Sequence, residues 1–320
     1  MLTVLLATKN RSTVLRSVLE SYCELKAPEH GWKVVVVDNG SADATRSVIQ
    51  SFNDRLPITY VYEPKPGKNC ALNAGLELVE GDLTVLTDDD AFPAPGWLVE
   101  LRRVADSQPE YSIFGGPVTA RWEVPPPPWI KWVNIGPMFT ITPSWMKDGE
   151  LPARLVSMVQ GPNMAIRTNI FRSGIRFDTT IGPSGVSYAM GSETELLLRL
   201  SRHGHRAWHV QTAVVEHFVR KEQLEKAWIL SRAIRWGRGY QRLWPSTRLW
   251  FGIPRYLFRD IPKEVFRTTA ALVCFREEAA FRSRWQLNFL LGVGIESRFL
   301  ASKARVRAAT GSGMKEVQLP

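Results

Sequence analysis

Short apolar runs alternate with longer stretches of helically spaced apolar residues over the first 90 positions of the chain. Such runs predict buried strands and such stretches predict helices, and their alternation favours a parallel α/β sheet. The predicted strands are Leu2–Ala7, Lys33–Val37, Ile58–Tyr62 and Leu83–Thr87. The predicted helices are Ser12–Leu25, Ala42–Phe52 and Asn69–Val79. Because parallel sheets bind ligands at the carboxyl ends of their strands, the residues that follow each strand are the first candidates for a site.

The alternation stops at four consecutive prolines, Pro125–Pro128, which precede a tryptophan-rich stretch. This composition predicts a long loop region, and long loops in compact domains are commonly lids or binding loops. A spacer stiffened by proline is the alternative interpretation. Regular structure is expected again over Gln160–Ile170, followed by a helix over Gly191–His203 and a strand over His209–Phe218.

The positive charge of the chain is concentrated in its last third. The formal net charge is +10, and residues 216–320 contain 20 lysines and arginines against 9 acidic residues, a balance of +11. Residues 1–215 have a balance of −1. We therefore expect an α/β domain over residues 1–215 and a basic α-helical extension over residues 216–320. Because the excess charge lies outside the α/β domain, no nucleic-acid partner is expected.

Four cations of this extension recur every four residues, which places them in one stripe along a helix. They are Arg255, Arg259, Lys263 and Arg267. Pro254 and Pro262 interrupt the segment, so two short helices are expected rather than one. A basic amphipathic segment is typical of proteins that bind an anionic membrane surface. A helical cap packed on the α/β domain fits the pattern equally well.

The three cysteines, Cys23, Cys70 and Cys274, have neither disulfide-framework nor zinc-site spacing. This favours a reducing compartment. The apolar start of the chain fits a buried strand better than a signal peptide, because no basic segment precedes it. No stretch reaches the ~20 apolar residues of a spanning helix. A cytoplasmic location is expected, with peripheral attachment to the inner face of the membrane as an open alternative.

Three adjacent acids, Asp88, Asp89 and Asp90, follow the predicted strand Leu83–Thr87. Neighbouring carboxylates repel each other unless a cation lies between them. Carboxylate oxygens are suitable ligands for Mg²⁺ or Mn²⁺, which often bridge to substrate phosphates. A solvated acidic turn is the alternative. The position at the end of a strand favours a site.

A second polar segment, Asp38 to Ser41, follows the strand Lys33–Val37. Its carboxylate can accept hydrogen bonds from a nucleotide base or a ribose. Alternatively, Asp43 or Ser41 can cap the following helix, and both roles are compatible. The chain has no glycine-rich dinucleotide fingerprint and no phosphate-loop motif. A dinucleotide-binding Rossmann site and a P-loop are therefore disfavoured.

Four stretches, taken in this order and spacing, resemble the family 2 glycosyltransferases of the GT-A fold. They are Val4–Arg11, Val35–Asp43, Gly67–Gly75 and Thr87–Pro93, the last being similar to the family's DxD motif. Further matches are Gly161–Arg167, Phe177–Asp178 and Gly191–Leu196. The resemblance covers roughly Leu2 to Phe218. It implies the Rossmann-like mixed α/β sheet of nucleotide-diphospho-sugar transferases for residues 1–215, followed by the basic helical C-terminal extension.

The resemblance implies a metal-dependent, inverting glycosyltransferase. Such an enzyme moves a sugar from a nucleotide-sugar donor to a hydroxyl of a carbohydrate or lipid-linked acceptor, with Mg²⁺ or Mn²⁺ as cofactor. Bacterial polysaccharide or glycolipid synthesis is the implied setting. Glu193 is the expected catalytic base, and Asp90 and His217 are the expected metal ligands. The expected substrate-binding residues are Thr8, Asn10, Arg11, Asp38, Lys68, Asn73, Asp88, Asp89, Asn163 and Glu195.

The chain departs from the family pattern at the catalytic acid. Ser192 stands where the first acid of the usual pair is found, and Glu193 stands where the family has the catalytic aspartate. Acids at this position also suit a helix N-terminus without any catalytic role. The departure leaves an alternative open, which is a non-catalytic protein that binds a sugar nucleotide or a membrane surface on the same fold.

Overall fold

The strand β1 (Leu2–Thr8) lies in the middle of an eight-stranded mixed sheet. The structure is a computed structural model that describes residues 1–185 and 187–310, with side chains to residue 305. Three further strands run parallel to β1 in the order β3, β2, β1, β4, and they are β2 (Trp32–Asp38), β3 (Ile58–Tyr62) and β4 (Leu83–Leu86). The predicted parallel arrangement is confirmed for these four strands. The strand order reverses beside β1, where sheets of this type bind their ligands.

The other half of the sheet contains antiparallel pairs. Beyond β4, the order continues with β9 (Met164–Arg167), β6 (Ile113–Gly115), β10 (Ala207–His209) and β8 (Gly149–Leu151). Strand β9 is antiparallel to both of its neighbours, so the sheet is mixed. A separate three-stranded sheet has the order β5 (Ala91–Pro93), β11 (Val215–Val219), β7 (Val118–Trp122).

The single strand predicted over His209–Phe218 is wrong. The structure has two strands there, β10 and β11, which belong to different sheets. Between them the chain turns, and the N–H of Ala213 donates to the carbonyl of Val210 at 3.1 Å. The turn consists of two exposed polar residues, Gln211 and Thr212, between the buried Val210 and Ala213. So short a polar interruption does not separate two strands in the sequence pattern.

The first seven helices pack on the two sheets. They are α1 (Ser12–Tyr22), α2 (Thr45–Gln50), α3 (Lys68–Leu76), α4 (Trp97–Ser107), α5 (Ile135–Phe139), α6 (Thr168–Arg172) and α7 (Ser192–Arg202). Helix α1 buries Leu15, Val18, Leu19 and Tyr22, which lie on one helical face. Helix α3 approaches the sheet closely, because a Cβ at Gly75 would lie 2.3 Å from Cδ1 of Leu5.

The long loop region predicted after Pro125–Pro128 contains short regular elements instead. A 3-10 helix covers Pro128–Trp132, α5 follows, and β8 extends the main sheet beside β10. A second 3-10 helix covers Ala153–Met158. Met146, Leu151 and Val156 are buried in the core, so this segment contributes to the fold. Their spacing of five residues matches neither the period of a strand nor that of a helix, which explains why no periodic pattern indicated this segment.

The chain forms two compact units. The first comprises residues 1–186 and 192–225, and the second comprises residues 187–191 and the chain from Lys226 onward. The boundary expected after Val215 differs from this division, because β11 pairs with β5 and β7 within the first unit. The last ten residues of the expected extension lie outside the described residues. No helix among the described residues is long and apolar enough to cross a membrane.

In the part of the second unit that the structure describes, there are three helices and a two-stranded hairpin. They are α8 (Lys226–Leu243), β12 (Leu249–Trp250), β13 (Ile253–Pro254), α9 (Leu257–Val273) and α10 (Glu277–Thr310). The prediction of two short helices around Pro262 is wrong, since α9 continues through this proline. The N–H of Asp260 already donates to the carbonyl of Tyr256 at 2.9 Å, so a helical turn forms before the proline is reached.

Helices α8 and α10 contact each other backbone to backbone. A Cβ at Gly237 would lie 2.0 Å from the carbonyl oxygen of Phe289, and a Cβ at Gly292 would lie 2.1 Å from that of Ile234. The same pair of helices buries an ion cluster around Glu296, which is fully buried. Its carboxylate accepts hydrogen bonds from Nε of Arg238 at 2.7 Å and from Nε of Arg242 at 2.5 Å.

We expect Glu296→Ala to destabilise the second unit by about 3–5 kcal/mol, because removing one member of a buried ion cluster leaves the others uncompensated. Urea denaturation of the full chain measures this loss. Glu278→Ala is the matched control on the same helix, since Glu278 pairs with Arg282 in an exposed position. The control should lose no more than about 0.5 kcal/mol. Equal losses in the two variants would contradict this account of the cluster.

Candidate functional site

Charged side chains from separate segments converge at the carboxyl ends of β1 and β4. Arg11 follows β1 after a tight turn at Asn10, whose φ is 52°. Its Nη1 donates to Oδ1 of Asp89 and to Oδ2 of Asp90, both at 2.6 Å. Both acids are buried. The arginine therefore pairs with two carboxylates that are largely withdrawn from water.

The pKa values of the two carboxylates bound by Arg11 are shifted in opposite directions. Burial raises the pKa of Asp89 above its ordinary value, and the neighbouring Asp90 adds to this, although Arg11 opposes both. Burial acts on Asp90 in the same direction, but His217, Arg11 and Arg220 outweigh it and lower the pKa of Asp90. Asp90 is consequently the more firmly ionised member of the pair.

His217 lies in β11 and points at Asp90. Its Nδ1 is 2.7 Å from the carbonyl oxygen of Phe139, which can only accept, so Nδ1 carries a hydrogen. Nε2 then faces Oδ1 of Asp90 at 3.4 Å. Burial lowers the pKa of His217, but the Asp90 carboxylate raises it by more. Arg220 completes this side of the cluster, with its Nη1 3.5 Å from Oδ2 of Asp90.

The side chains of Asp90 and His217 are suitable ligands for a divalent cation. A backbone carbonyl fixes the imidazole by its Nδ1, and this is the usual support for a histidine that binds metal through Nε2. One carboxylate and one imidazole are suitable ligands for Mg²⁺ or Mn²⁺ when substrate oxygens supply the others. Within the described ranges, no group of three or more His, Cys, Asp or Glu side chains converges to hold a metal by itself.

Lys68 joins the acidic run to a carboxylate from a distant part of the chain. It is the first residue of α3, and its Nζ donates to Oδ1 of Asp88 at 2.5 Å and to Oε1 of Glu193 at 2.8 Å. Burial lowers the pKa of Lys68, but the two carboxylates raise it by more, so the ammonium stays charged. One half-buried cation therefore contacts both acids.

Ser192 and Asn69 position Glu193. The Ser192 hydroxyl donates to Oδ1 of Asn69, and Nδ2 of Asn69 donates to the carbonyls of Asp178 and Ile181 at 2.7 and 2.9 Å. A Cβ at Gly161 would lie 3.0 Å from Cγ and Cδ of Glu193, so a glycine there leaves room for the glutamate side chain. The serine that departs from the family pattern is thus part of a buried hydrogen-bond network.

The loops after β1 and β2 are tied together by polar side chains. Asp38 is buried, and its carboxylate accepts hydrogen bonds from the Ser41 N–H at 2.8 Å and the Tyr60 hydroxyl at 3.2 Å. Oδ1 of Asn10 accepts from the N–H of Ala42 at 2.8 Å. These bonds hold the segment from Asp38 to Ser41 beside the end of β1, where Thr8 is buried.

Asp43 connects the starts of α1 and α2. Its carboxylate accepts hydrogen bonds from the N–H of Ser12 at 3.0 Å and of Thr45 at 3.1 Å. Burial raises the pKa of Asp43, but the hydrogen bonds from Thr45 and Ser12 together outweigh it and lower this pKa to about 2. The capping interpretation of this segment therefore describes Asp43, while Asp38 holds the loop.

Three of the expected substrate-binding residues lie in other networks. The Asn73 amide pairs with the backbone N–H and carbonyl of Phe177, both at 2.9 Å. Glu195 forms a bidentate ion pair with Arg199. Asn163 is fully buried, and its amide accepts from the Trp97 indole and donates to two backbone carbonyls. We therefore regard these side chains as supports of the fold.

The sequence interpretation missed two residues of the cluster. Arg220 pairs with Asp90, and Asn69 anchors the network beneath Glu193. A signal existed for Arg220, because it follows His217 by three positions directly after β11. Asn69 lies inside one of the matched stretches, but nothing in the sequence indicates its contact with Ser192, which is 123 residues away.

Comparisons with known proteins show the family of the chain. The sequence model of Glycosyl transferase family 2 matches residues 3–173, more than half of the chain. The probable glycosyltransferase YdaM of Bacillus subtilis is 26% identical over 250 residues, which are 74% of this chain and 54% of that relative. The chain therefore spans about half the length of this relative. The glucosyl-dolichyl phosphate glucuronosyltransferase of Haloferax volcanii is 23% identical over 216 residues, 66% of each protein.

Solved structures of similar fold are GT-A glycosyltransferases. The mannosyltransferase PcManGT of Pyrobaculum calidifontis, in complex with GDP-Man and Mn²⁺, has a TM-score of 0.56 at 19% identity and covers 98% of this chain and 79% of its own. TarS 1–349 of S. aureus, in complex with UDP-GlcNAc, has a TM-score of 0.52 at 13% identity, covering 98% and 93%. At these identities the likeness shows the fold, which confirms the predicted fold class.

We expect Ser192→Ala to lower the free energy of unfolding by about 1–3 kcal/mol, because it leaves the buried Asn69 carbonyl oxygen without its donor. Urea denaturation measures the loss. Ser201→Ala is the matched control, since Ser201 is a half-buried serine of the same helix. It should change the stability by no more than about 0.5 kcal/mol. If both variants were equally stable, Ser192 would not have the positioning role described here.

Proposed function

Because the chain belongs to glycosyl transferase family 2, we propose that it transfers a sugar from a nucleotide-diphosphate donor to an acceptor hydroxyl with inversion. One observation carries the proposal beyond the family. The Lys68 ammonium contacts Asp88, in the acidic run at the end of β4, and Glu193, at the start of α7. A carboxylate suited to donor binding and a carboxylate suited to deprotonate an acceptor therefore lie on two sides of one cation.

Asp90 and His217 are the residues that would hold Mg²⁺ or Mn²⁺ in this proposal. Such a cation supplies positive charge against the diphosphate leaving group. The Mn²⁺ named with the Pyrobaculum mannosyltransferase supports this choice of cofactor. Arg11 and Arg220 already lie beside Asp90, so this chain adds two guanidinium groups to the same region.

The nucleotide is assigned to the loops after β1 and β2. Asp38 is proposed to hold the base, because its carboxylate has acceptor positions beyond those used by Ser41 and Tyr60. Asp88 is proposed to contact the ribose, with Thr8 and Asn10 lining this side of the crevice. The GDP-Man and UDP-GlcNAc named with the structural neighbours are donors of the same chemical class.

Glu193 is proposed to accept the proton of the acceptor hydroxyl as that oxygen attacks the anomeric carbon of the donor. The leaving nucleoside diphosphate departs from the opposite face, which inverts the configuration. Lys68 holds the carboxylate of Glu193 by a 2.8 Å hydrogen bond, and Gly161 leaves room for its side chain. Arg11, Asp89 and Lys68 complete the set of groups that face the donor.

A carbohydrate or lipid-linked acceptor is part of the proposal, in bacterial polysaccharide or glycolipid synthesis at the cytoplasmic face of the membrane. The name of the Haloferax relative, a glucosyl-dolichyl phosphate glucuronosyltransferase, supports a lipid-linked acceptor. The alternative is a non-catalytic sugar-nucleotide-binding protein, which the serine at position 192 leaves open.

We expect the wild-type chain to release a nucleoside diphosphate from at least one donor of a sugar-nucleotide panel, in the presence of Mg²⁺ or Mn²⁺. Glu193→Gln should slow transfer on the order of 10²–10⁴-fold, because it removes the general base while keeping the shape of the side chain. Coupled detection of the released diphosphate measures the rate, and calorimetry measures donor affinity, which should be preserved.

Glu195→Gln is the matched control, since Glu195 lies two residues away and pairs with Arg199. Its transfer rate should stay close to that of the wild type. A wild-type rate in Glu193→Gln would remove Glu193 from the mechanism. Donor binding without diphosphate release from any donor would favour the non-catalytic alternative.

A further inference from the structure

The second unit exposes a set of large apolar side chains along α9 and at both of its ends. Two of them, Phe251 and Phe275, are 91% and 93% exposed. Contiguous apolar patches are uncommon on the surfaces of soluble proteins and mark interaction sites. We call this set the apolar face, and it consists of Leu249, Trp250, Phe251, Phe258, Val265, Phe266, Leu272, Val273 and Phe275.

Helix α9 has three distinct sides. Residues of an α-helix are rotated by about 100° from one to the next, so positions seven apart nearly coincide. Leu257, Glu264 and Ala271 have this spacing, and they are the buried side. Phe258, Val265 and Leu272 follow each of them by one position and form an exposed apolar row. A helix that served only as a packed cap would present polar residues there.

Phe266 and Val273 widen the apolar row, and the cations lie next to it. Arg259, Lys263 and Arg267 occupy the sector between the apolar row and the buried side, and all three are exposed. The cationic stripe recognised in the sequence thus borders the apolar face along the length of the helix. Lysine and arginine side chains in this position can reach a charged surface while the apolar residues enter a less polar layer.

The hairpin before α9 extends the apolar face at one end. The ring centroids of Trp250 and Phe258 are 5.8 Å apart, and the guanidinium of Arg255 lies 4.4 Å from the centroid of the Trp250 ring. Phe251 forms the tip of this hairpin. At the other end, Phe275 occupies the corner between α9 and α10. Aromatic side chains beside cations are typical of segments that lie at a membrane–water interface.

The net charge of the second unit indicates what kind of partner binds the apolar face. Residues 226–310 contain 17 lysines and arginines against 5 acidic residues, a balance of +12. A second copy of the chain would bring the same cations against each other, which opposes self-association through this face. An anionic lipid surface offers both an apolar layer for the aromatic residues and negative charge for the flanking cations.

We propose that the apolar face docks the second unit on an anionic lipid bilayer, with α9 lying in the interface and the tips at Phe251 and Phe275 inserted. The biological use of this docking rests on the proposed function, because it would bring a glycosyltransferase to lipid-linked acceptors. The docking itself requires neither donor nor transfer. A measurement of binding to lipid vesicles therefore tests the docking independently of transfer.

The test is co-sedimentation of the full chain with vesicles of phosphatidylcholine alone and of phosphatidylcholine mixed with phosphatidylglycerol. The wild type should bind the anionic vesicles, and added salt should weaken binding because it screens the cations. The double variant Phe251→Ser/Phe266→Ser should bind them at least roughly tenfold more weakly, since it removes two large apolar side chains from the face. Equal binding of wild type and double variant would overturn the proposal.

Trp145→Ser is the matched control, because Trp145 is 56% exposed but belongs to the first unit. It should bind vesicles like the wild type. Lys263→Glu tests the charge, and it should weaken binding to anionic vesicles while leaving the apolar face intact. Equal binding of the wild type to uncharged and anionic vesicles would contradict recognition of negative charge.

Two further measurements separate this inference from its alternatives. Sedimentation equilibrium would show a dimer that the double variant loses if the face binds a second copy, and that result without vesicle binding overturns the proposal. Release of nucleoside diphosphate by the double variant in the absence of vesicles should match the wild type. Vesicle binding by a wild-type chain that releases no diphosphate would contradict the proposed function and leave the docking surface in place.

Discussion

Three adjacent carboxylates at the end of β4 are compatible with the fold only because cations from other segments neutralise them. Arg11 binds Asp89 and Asp90, and Lys68 binds Asp88. His217 and Arg220 approach Asp90 from the second sheet. Burying such charges without partners would cost several kcal/mol each. The loop after β1, the start of α3 and the end of β11 therefore have to meet at one point, and this requirement fixes the site.

The same cluster also orders the two sides of the site relative to each other. Lys68 donates hydrogen bonds to both Asp88 and Glu193. A change in the charge of one carboxylate therefore alters the interaction of Lys68 with the other. Beneath it, the bonds from Ser192 to Asn69 and from Asn69 to two backbone carbonyls set the start of α7. In the proposed reaction, a donor whose phosphates attract the Lys68 ammonium would also weaken its hydrogen bond to Glu193, the proposed catalytic base.

The sequence predicted those features that local patterns encode. Short apolar runs predicted the four parallel strands, and the acids that follow two of them indicated the candidate site. Contacts between positions distant in the chain could not be predicted from local patterns. An example is the contact of Lys68 with Glu193, which are 125 residues apart. Asn163 illustrates a second limit, because an asparagine in a substrate-binding motif and one that holds a buried tryptophan look alike in sequence. The polar interruption at Gln211 and Thr212 was too short to indicate a turn between two strands. The proline in α9 suggested a break, but the helix continues through it.

Donor binding with and without Mn²⁺, compared between the wild type and Asp90→Asn by calorimetry, tests most directly whether this charge cluster is a metal-assisted donor site. The account predicts that Mn²⁺ tightens donor binding in the wild type and that Asp90→Asn loses this gain, because Asp90 is the firmly ionised carboxylate beside His217. Donor binding that is equally tight in both proteins, and unchanged when Mn²⁺ is removed, would contradict it.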